Sequence, residues 1–196
     1  MDELFFRIAL GVLLVAYTMI RLPHARTYKG VKKIKTEGQK RERLLVGLAT
    51  VGTFILPLVW VFTGWFAALD IGLGDEIRIF GILLAVLSLV FFHWVHKILG
   101  QNWSPVLEIG EGHTIITQGP YKLIRHPMYT QVWLWVIAQF LIASNWVIGL
   151  TGVIAWSILY FVRAPREEAM LIDEFGDQYR DYIKQTGRVL PKIRRR

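Results

Sequence analysis

The residues best placed to do chemistry form two clusters. The first, Gly119-Pro120-Tyr121-Lys122-Leu123-Ile124-Arg125-His126-Pro127-Met128-Tyr129, stands directly before a long apolar stretch, and the second, Arg163-Ala164-Pro165-Arg166-Glu167-Glu168, closes it. Ionisable groups at both mouths of one membrane-length apolar segment are costly to keep there, so they mark a site rather than a scaffold. His126 precedes Pro127 and is biased out of helical geometry, while Pro127 suits the first position of a helix. The free N–H groups and positive dipole end of that helix then fall near Met128 and Tyr129, a natural seat for a carboxylate or phosphate. By themselves Arg125 and His126 read equally well as interfacial anchors. Arg163 and Glu167, four apart, share a helical face and also read as an ordinary ion pair; Pro165 is expected to kink or restart their helix.

Other candidates point away from chemistry. His93 and His96 share a face of one apolar helix, but no third or fourth ligand stands at a sensible spacing, so no metal is expected and backbone or headgroups are their natural partners. His24 reads as a solvated side chain. Gly72-Leu73-Gly74 and Gly110-Glu111-Gly112 lack the third glycine and the strand-to-helix setting of a dinucleotide fingerprint. The chain has no cysteine, which removes disulfides and thiolate chemistry.

The elements that must position these clusters are membrane helices. With 54% hydrophobic residues and eight Trp in 196 residues, the composition is that of an integral membrane protein. Apolar runs at roughly 4–22, 44–69 and 77–99 are each long enough to cross. The block at about 128–163 is too long for one span, and Ser144-Asn145-Trp146 breaks it into a helical hairpin. The expected fold is therefore all-α, with five transmembrane helices, a polar loop of about thirty residues from Leu99 whose length invites a functional explanation, and a C-terminal amphipathic helix. Leu171, Phe175, Tyr179 and Tyr182 stripe that last helix, which should end near Gly187 and close a cavity over Arg163 and Glu167. Gly81 and Ala85 give a weak small-xxx-small pattern.

Charge orients the spans. The loop at 23–43 is strongly basic, whereas Asp70-Ile71-Gly72-Leu73-Gly74-Asp75-Glu76 has no Lys or Arg, which puts the first in the cytoplasm and the second outside. The N-terminus is then outside, and the C-terminus and both clusters are cytoplasmic. Met1-Asp2-Glu3 is acidic where a signal peptide needs a basic start, so the first helix is expected to be retained. The net charge of +8 is explained by topology and anionic lipid headgroups, and nucleic acid is not an expected partner.

The ordered set Leu99-Gly100, His113, Gly119-Pro120-Tyr121, Arg125-His126-Pro127-Met128-Tyr129, and after the hairpin Arg163, Glu167-Glu168, Phe175-Gly176, Tyr179, Tyr182, Gly187-Arg188 and Pro191 resembles the isoprenylcysteine carboxyl methyltransferase family, most of all its short prokaryotic members. The similarity runs across nearly the whole chain. The ordered set is specific, whereas Arg-His-Pro alone is shared with phospholipid N-methyltransferases and, more loosely, membrane sterol reductases.

The resemblance implies a membrane enzyme that moves a methyl group from S-adenosyl-L-methionine, leaving S-adenosyl-L-homocysteine, to the carboxylate of a C-terminal prenylated cysteine. It also implies that His113, Thr114, Ile115, Ile116, Tyr121, His126, Pro127, Met128, Tyr129 and Glu167 contact the cofactor. Arg163 is implied to receive the substrate carboxylate, with Arg163 and Glu167 as the catalytic pair. The lipid-modified substrate would enter from the bilayer. Residues 1–196 then form one methyltransferase domain, with 1–98 carrying three helices and the basic loop and 99–196 the cofactor loop, the hairpin and the last helix. The basic loop matches no signature. A lipid N-methyltransferase, a membrane sterol reductase and a non-enzymatic scaffold or transporter are the alternatives.

Overall fold

The computed structural model describes residues 1–28, 33–36, 39–102, 108–110, 112 and 114–192, with backbone alone for 25–28, 33–36, 39, 101, 109 and 110. The expected cofactor contact His113 lies outside the described residues. Seven α-helices carry the fold: α1 (Glu3–Tyr28), α2 (Gln39–Thr50), α3 (Leu56–Phe62), α4 (Asp75–Leu99), α5 (Pro127–Ala143), α6 (Trp146–Phe175) and α7 (Asp177–Gln185). Four stretches, Glu3–His24, Lys40–Phe62, Asp75–Leu99 and Trp146–Phe175, are long and apolar enough to cross a membrane; α5 is a shorter apolar helix. Large apolar side chains such as Val12, Leu83, Val90 and Phe161 stand exposed on the bundle's outside, the arrangement of a protein solvated by lipid.

The second span joins α2 to α3 through a π-helical turn, Val51–Ile55. Proline explains the irregularity. Pro57 has no N–H for the carbonyl four residues back, Thr53, and that carbonyl instead accepts from Gln139 Nε2 of α5 at 2.9 Å. Glycine makes the same place a close crossing: a Cβ on Gly52 would lie 2.6 Å from the Thr151 carbonyl oxygen of α6. Gly81 likewise faces α5, where a Cβ would come within 2.8 Å of Leu141 Cβ, and Ala85 beside it is fully buried. The small-residue pattern of α4 is therefore used inside the chain.

Several expectations are corrected. The second span ends at Phe62 rather than near residue 69, because Thr63 turns extended and its hydroxyl bonds back to the Val59 carbonyl at 2.7 Å. Pro165 does not restart α6, which runs unbroken for 30 residues; the fully buried Ala164 and the anchored Glu168 hold the axis on either side of it. The break falls instead at Gly176, whose φ of +56° suits glycine, so the expected C-terminal stripe is divided between α6 and the nine-residue α7. The fold is all-helical apart from one short pairing, in which β1 (Lys33–Thr36) lies antiparallel to β2 (Glu108–Gly110). His24 belongs to α1, where its ring packs 4.5 Å from that of the buried His96, while His93 faces outward.

The hairpin between α5 and α6 is as expected. Ser144 takes a left-handed φ of 49°, and the Asn145 side chain caps α6 by accepting from Val147 N at 3.0 Å and Ile148 N at 3.4 Å. Its amide also donates to Asp70 at 2.6 Å and to the Phe66 carbonyl at 2.7 Å, tying the hairpin to the acidic turn.

Gly52→Ala should destabilise the bundle by ~1–3 kcal/mol, because the obstacle is backbone. Gly152→Ala, whose Cβ would have 3.4 Å to its nearest neighbour, should cost less. Chemical unfolding of both variants in detergent checks the order.

Candidate active site

The C-terminal segment builds the site by docking onto the loop before α5. Arg125 N donates to the Gly187 carbonyl and His126 N to that of Arg188, both at 2.9 Å, and Gly187 N returns to the Leu123 carbonyl at 3.0 Å. Only glycine fits at 187, because a Cβ there would lie 1.8 Å from the Leu190 carbonyl oxygen. Tyr182 seals the join from α7, its hydroxyl donating to the Tyr121 carbonyl at 2.7 Å. Burial pushes the Tyr121, Tyr179 and Tyr182 phenols up from their ordinary values, so all three remain neutral donors.

Beneath this join the buried Glu168 gathers three basic residues. Arg125 Nε reaches Oε1 at 2.6 Å, His126 Nε2 lies 3.1 Å from the same oxygen, and Arg188 engages both oxygens. Arg125 Nη1 also donates to the Thr186 carbonyl at 2.8 Å. His126, 4% exposed, is thereby fixed by its backbone on one side and its ring on the other. The adjacent Glu167 accepts from the Tyr129 hydroxyl, its carboxylate 4.0 Å from His126 Nδ1 and 3.9 Å from Arg163 Nε. A third carboxylate, Glu42 of α2, approaches Arg163 Nε at 3.8 Å.

A cavity of about 470 Å³ opens above these residues. Thr114, Ile115, Ile116, Tyr121, His126, Met128, Tyr129, Arg163 and Glu167 all line it, so the structure brings together on one surface residues that are up to 53 positions apart in sequence. Pro127 is buried at the start of α5 and is not among the lining residues. Tyr179 and Tyr182 border the cavity from α7, and its far end runs between Tyr17, Leu22, Val46, Phe54 and Leu159 of α1, the second span and α6. The helix start offers an anion less than expected, because Pro127 has no N–H and those of Tyr129 and Thr130 already bond to the His126 carbonyl.

Sequence reasoning missed the α1 and α2 walls, Glu42 and Glu108. Glu108 comes to the cavity through the β1–β2 pairing, and burial raises its carboxyl above the ordinary range. Its only sequence signal is an acid within a loop; for Glu42 the signal is an acid three and seven residues before apolar positions that pack inward, Leu45 and Ala49.

Fold and site together define an integral membrane protein whose polar cavity is walled by the ends of its spans and extended by apolar helix faces. Residues 81–173 match the model of the isoprenylcysteine carboxyl methyltransferase (ICMT) family. The protein-S-isoprenylcysteine O-methyltransferase of Schizosaccharomyces pombe is 30% identical over 97 residues, covering 48% of this chain and 41% of that protein. That of Rattus norvegicus is 30% identical over 115 residues, 56% of this chain and 40% of the relative, and enzyme A of Arabidopsis thaliana is 26% identical over 117 residues, 58% and 59%. The solved structure of the eukaryotic intramembrane Ras methyltransferase ICMT superposes with a TM-score of 0.54 at 26% identity, over 82% of this chain and 55% of that one. The match takes in a little under half of this chain for the family model and spans about two-fifths to three-fifths of these relatives' length.

Glu168→Gln should cost ~3–5 kcal/mol of stability, since the buried carboxylate is the common counter-charge of the partly buried Arg125 and of Arg188. Tyr182→Phe should cost about 1 kcal/mol. Because the folded phenol titrates above the unfolded one, its contribution is complete below about pH 10 and is lost as pH rises beyond that. Unfolding curves in detergent from pH 8 to 11 should therefore fall less steeply for Tyr182→Phe than for the parent.

Proposed function

We propose that the chain is a membrane methyltransferase that uses S-adenosyl-L-methionine to esterify the carboxylate of a prenylcysteine-like, lipid-modified substrate. The observation that carries this is the single cavity joining Arg163, Glu167 and the His126–Tyr129 turn to an apolar passage between helices. Its volume lies within the ~300–1,000 Å³ of small-molecule sites. Its lining offers the Glu167 carboxylate, the Arg163 guanidinium and aromatic faces, a set suited to a cationic amino-acid nucleoside. Thr114, Ile115, Ile116, Tyr121, His126, Met128, Tyr129 and Glu167 would hold the cofactor, with His113 and Pro127 added by resemblance. When bound, it supplies an electrophilic methyl group on a sulfonium.

The chain's own part is placement. A carboxylate with a pKa of about 3.5 is ionised at neutral pH and needs no general base. Arg163, with its planar fork of donors, orients that carboxylate. Glu167, fixed by the Tyr129 hydroxyl, presents negative charge toward the cationic side of the cavity. Tyr179 and Tyr182 border it and limit water, and holding two reactants in line accounts for several kcal/mol of barrier. The apolar passage takes the lipid tail, so substrate enters from the bilayer and cofactor from the cytoplasm.

In this reading α5, at the lower end of spanning length, is the fifth span, and the whole chain acts as one domain. The N-terminus and Asp75 are outside; α7 and the cavity mouth are cytoplasmic. Impermeant thiol labelling of Asp75→Cys and Lys184→Cys in oriented vesicles should report opposite faces, and labelling from one face would refute the topology.

Calorimetry should show S-adenosyl-L-homocysteine binding to the purified protein, and no binding would remove the proposal. Arg163→Lys should retain that binding while losing most of the methylation rate on a prenylcysteine analogue, because lysine keeps the charge without the two-pronged geometry. Arg163→Ala should lose ~2–4 kcal/mol of transition-state stabilisation. A parental rate in Arg163→Lys would place the carboxylate elsewhere, and a base-stable methyl product would indicate an N-methyltransferase.

A further inference from the structure

Glu42 stands outside the segment that matches the family, in a basic stretch with no recognisable motif. It is nonetheless among the most deeply buried residues, 2% exposed, and neither carboxylate oxygen has a hydrogen-bond partner among the described residues. Along α2 the buried positions are Glu42, Leu45 and Ala49, flanked by exposed residues, so Glu42 occupies a core position where an apolar side chain would pack without desolvating a charge. A buried carboxylate lacking hydrogen bonds is tolerated where a counter-charge faces it. That counter-charge is Arg163, at 3.8 Å from Nε.

We propose that Glu42 is a positioning residue for Arg163, a role that rests on Arg163 being the carboxylate receptor. Glu42 and Glu167 approach the same Nε from two helices, at 3.8 and 3.9 Å. This holds the guanidinium at a fixed angle to the cavity. It also balances a charge that, uncompensated, would stabilise the acceptor carboxylate in its ground state and blunt its attack. Glu42 thus makes Arg163 a guide for the carboxylate rather than a trap, and ties the amino-terminal half of the chain to the chemistry.

The test is steady-state kinetics of Glu42→Gln and Glu42→Asp on a prenylcysteine analogue, with calorimetry of S-adenosylhomocysteine. In Glu42→Gln, kcat should fall tenfold or more while the acceptor KM stays level or drops and homocysteine-product affinity stays within twofold; Glu42→Asp should fall between it and the parent. The loss should be absent from the Arg163→Lys background, where Glu42→Gln changes kcat less than twofold. A parental kcat, a raised KM at parental kcat, or a full further loss in the Arg163→Lys background would overturn the proposal. If Glu42→Gln does not fold, parental kcat in Glu42→Asp overturns it and a partial loss at unchanged KM supports it. A parent protein that binds no S-adenosylhomocysteine would instead overturn the methyltransferase reading itself, and needs no variant to show it.

Discussion

One buried carboxylate organises the end of this bundle that holds the candidate site. Glu168 lies on α6, yet the groups it binds come from the loop before α5 and from the C-terminal segment, so three parts of the chain meet at its two oxygens. Bringing such charges out of water is unfavourable unless each finds a partner, and here the requirement fixes geometry as well as energy. With Arg125 and Arg188 tied to the same group, the backbone around them pairs at Gly187 and Arg188, and the His126 ring has one place to go. The next residue, Glu167, is thereby presented to the cavity. Two acids stand side by side in different surroundings: Glu168 is shared by three basic groups, whereas Glu167 accepts from the Tyr129 hydroxyl and lines the cavity beside Arg163.

Much of the site was legible in the sequence because its positioning depends on helix arithmetic. The two arms of the hairpin have matched lengths: Pro127 to Ala143 and Trp146 to Arg163 each rise about 24–26 Å. Two polar clusters flanking an apolar block with a break at Ser144-Asn145 must therefore arrive at the same level, and the bond from Tyr129 to Glu167 is the result. The α6 helix continues past that level for about another 18 Å, which carries Glu168 and the residues beyond it clear of the apolar layer.

What escaped the sequence is long-range or depends on conformations with no local signature. Proline at 165 reads as a breaker by propensity, but a single lost backbone bond is outweighed by packing on both sides, and the true break waits for Gly176 and its positive φ. The β1–β2 pairing joins segments more than seventy residues apart, neither of which alternates clearly enough to read as a strand. Gly52 and Pro57 look like ordinary punctuation of an apolar run until α5 and α6 supply the carbonyl and the amide that explain them.

The amino-terminal half illustrates the limit of reading by motif. Residues 81–173 hold most of the recognisable pattern, and they also hold both ends of the ion pair between Arg163 and Glu167. An isolated pair of that kind would restrain the guanidinium from one side only. Glu42 changes that balance by placing a second acid on the same nitrogen from a helix with no motif of its own. Its cost is a buried charge in a position suited to leucine, and a cost of that kind is retained where the neighbouring charge must be held at one angle without being quenched by a direct hydrogen bond. Through Glu42 the α2 helix thus reaches the candidate site, though nothing in its sequence announces it.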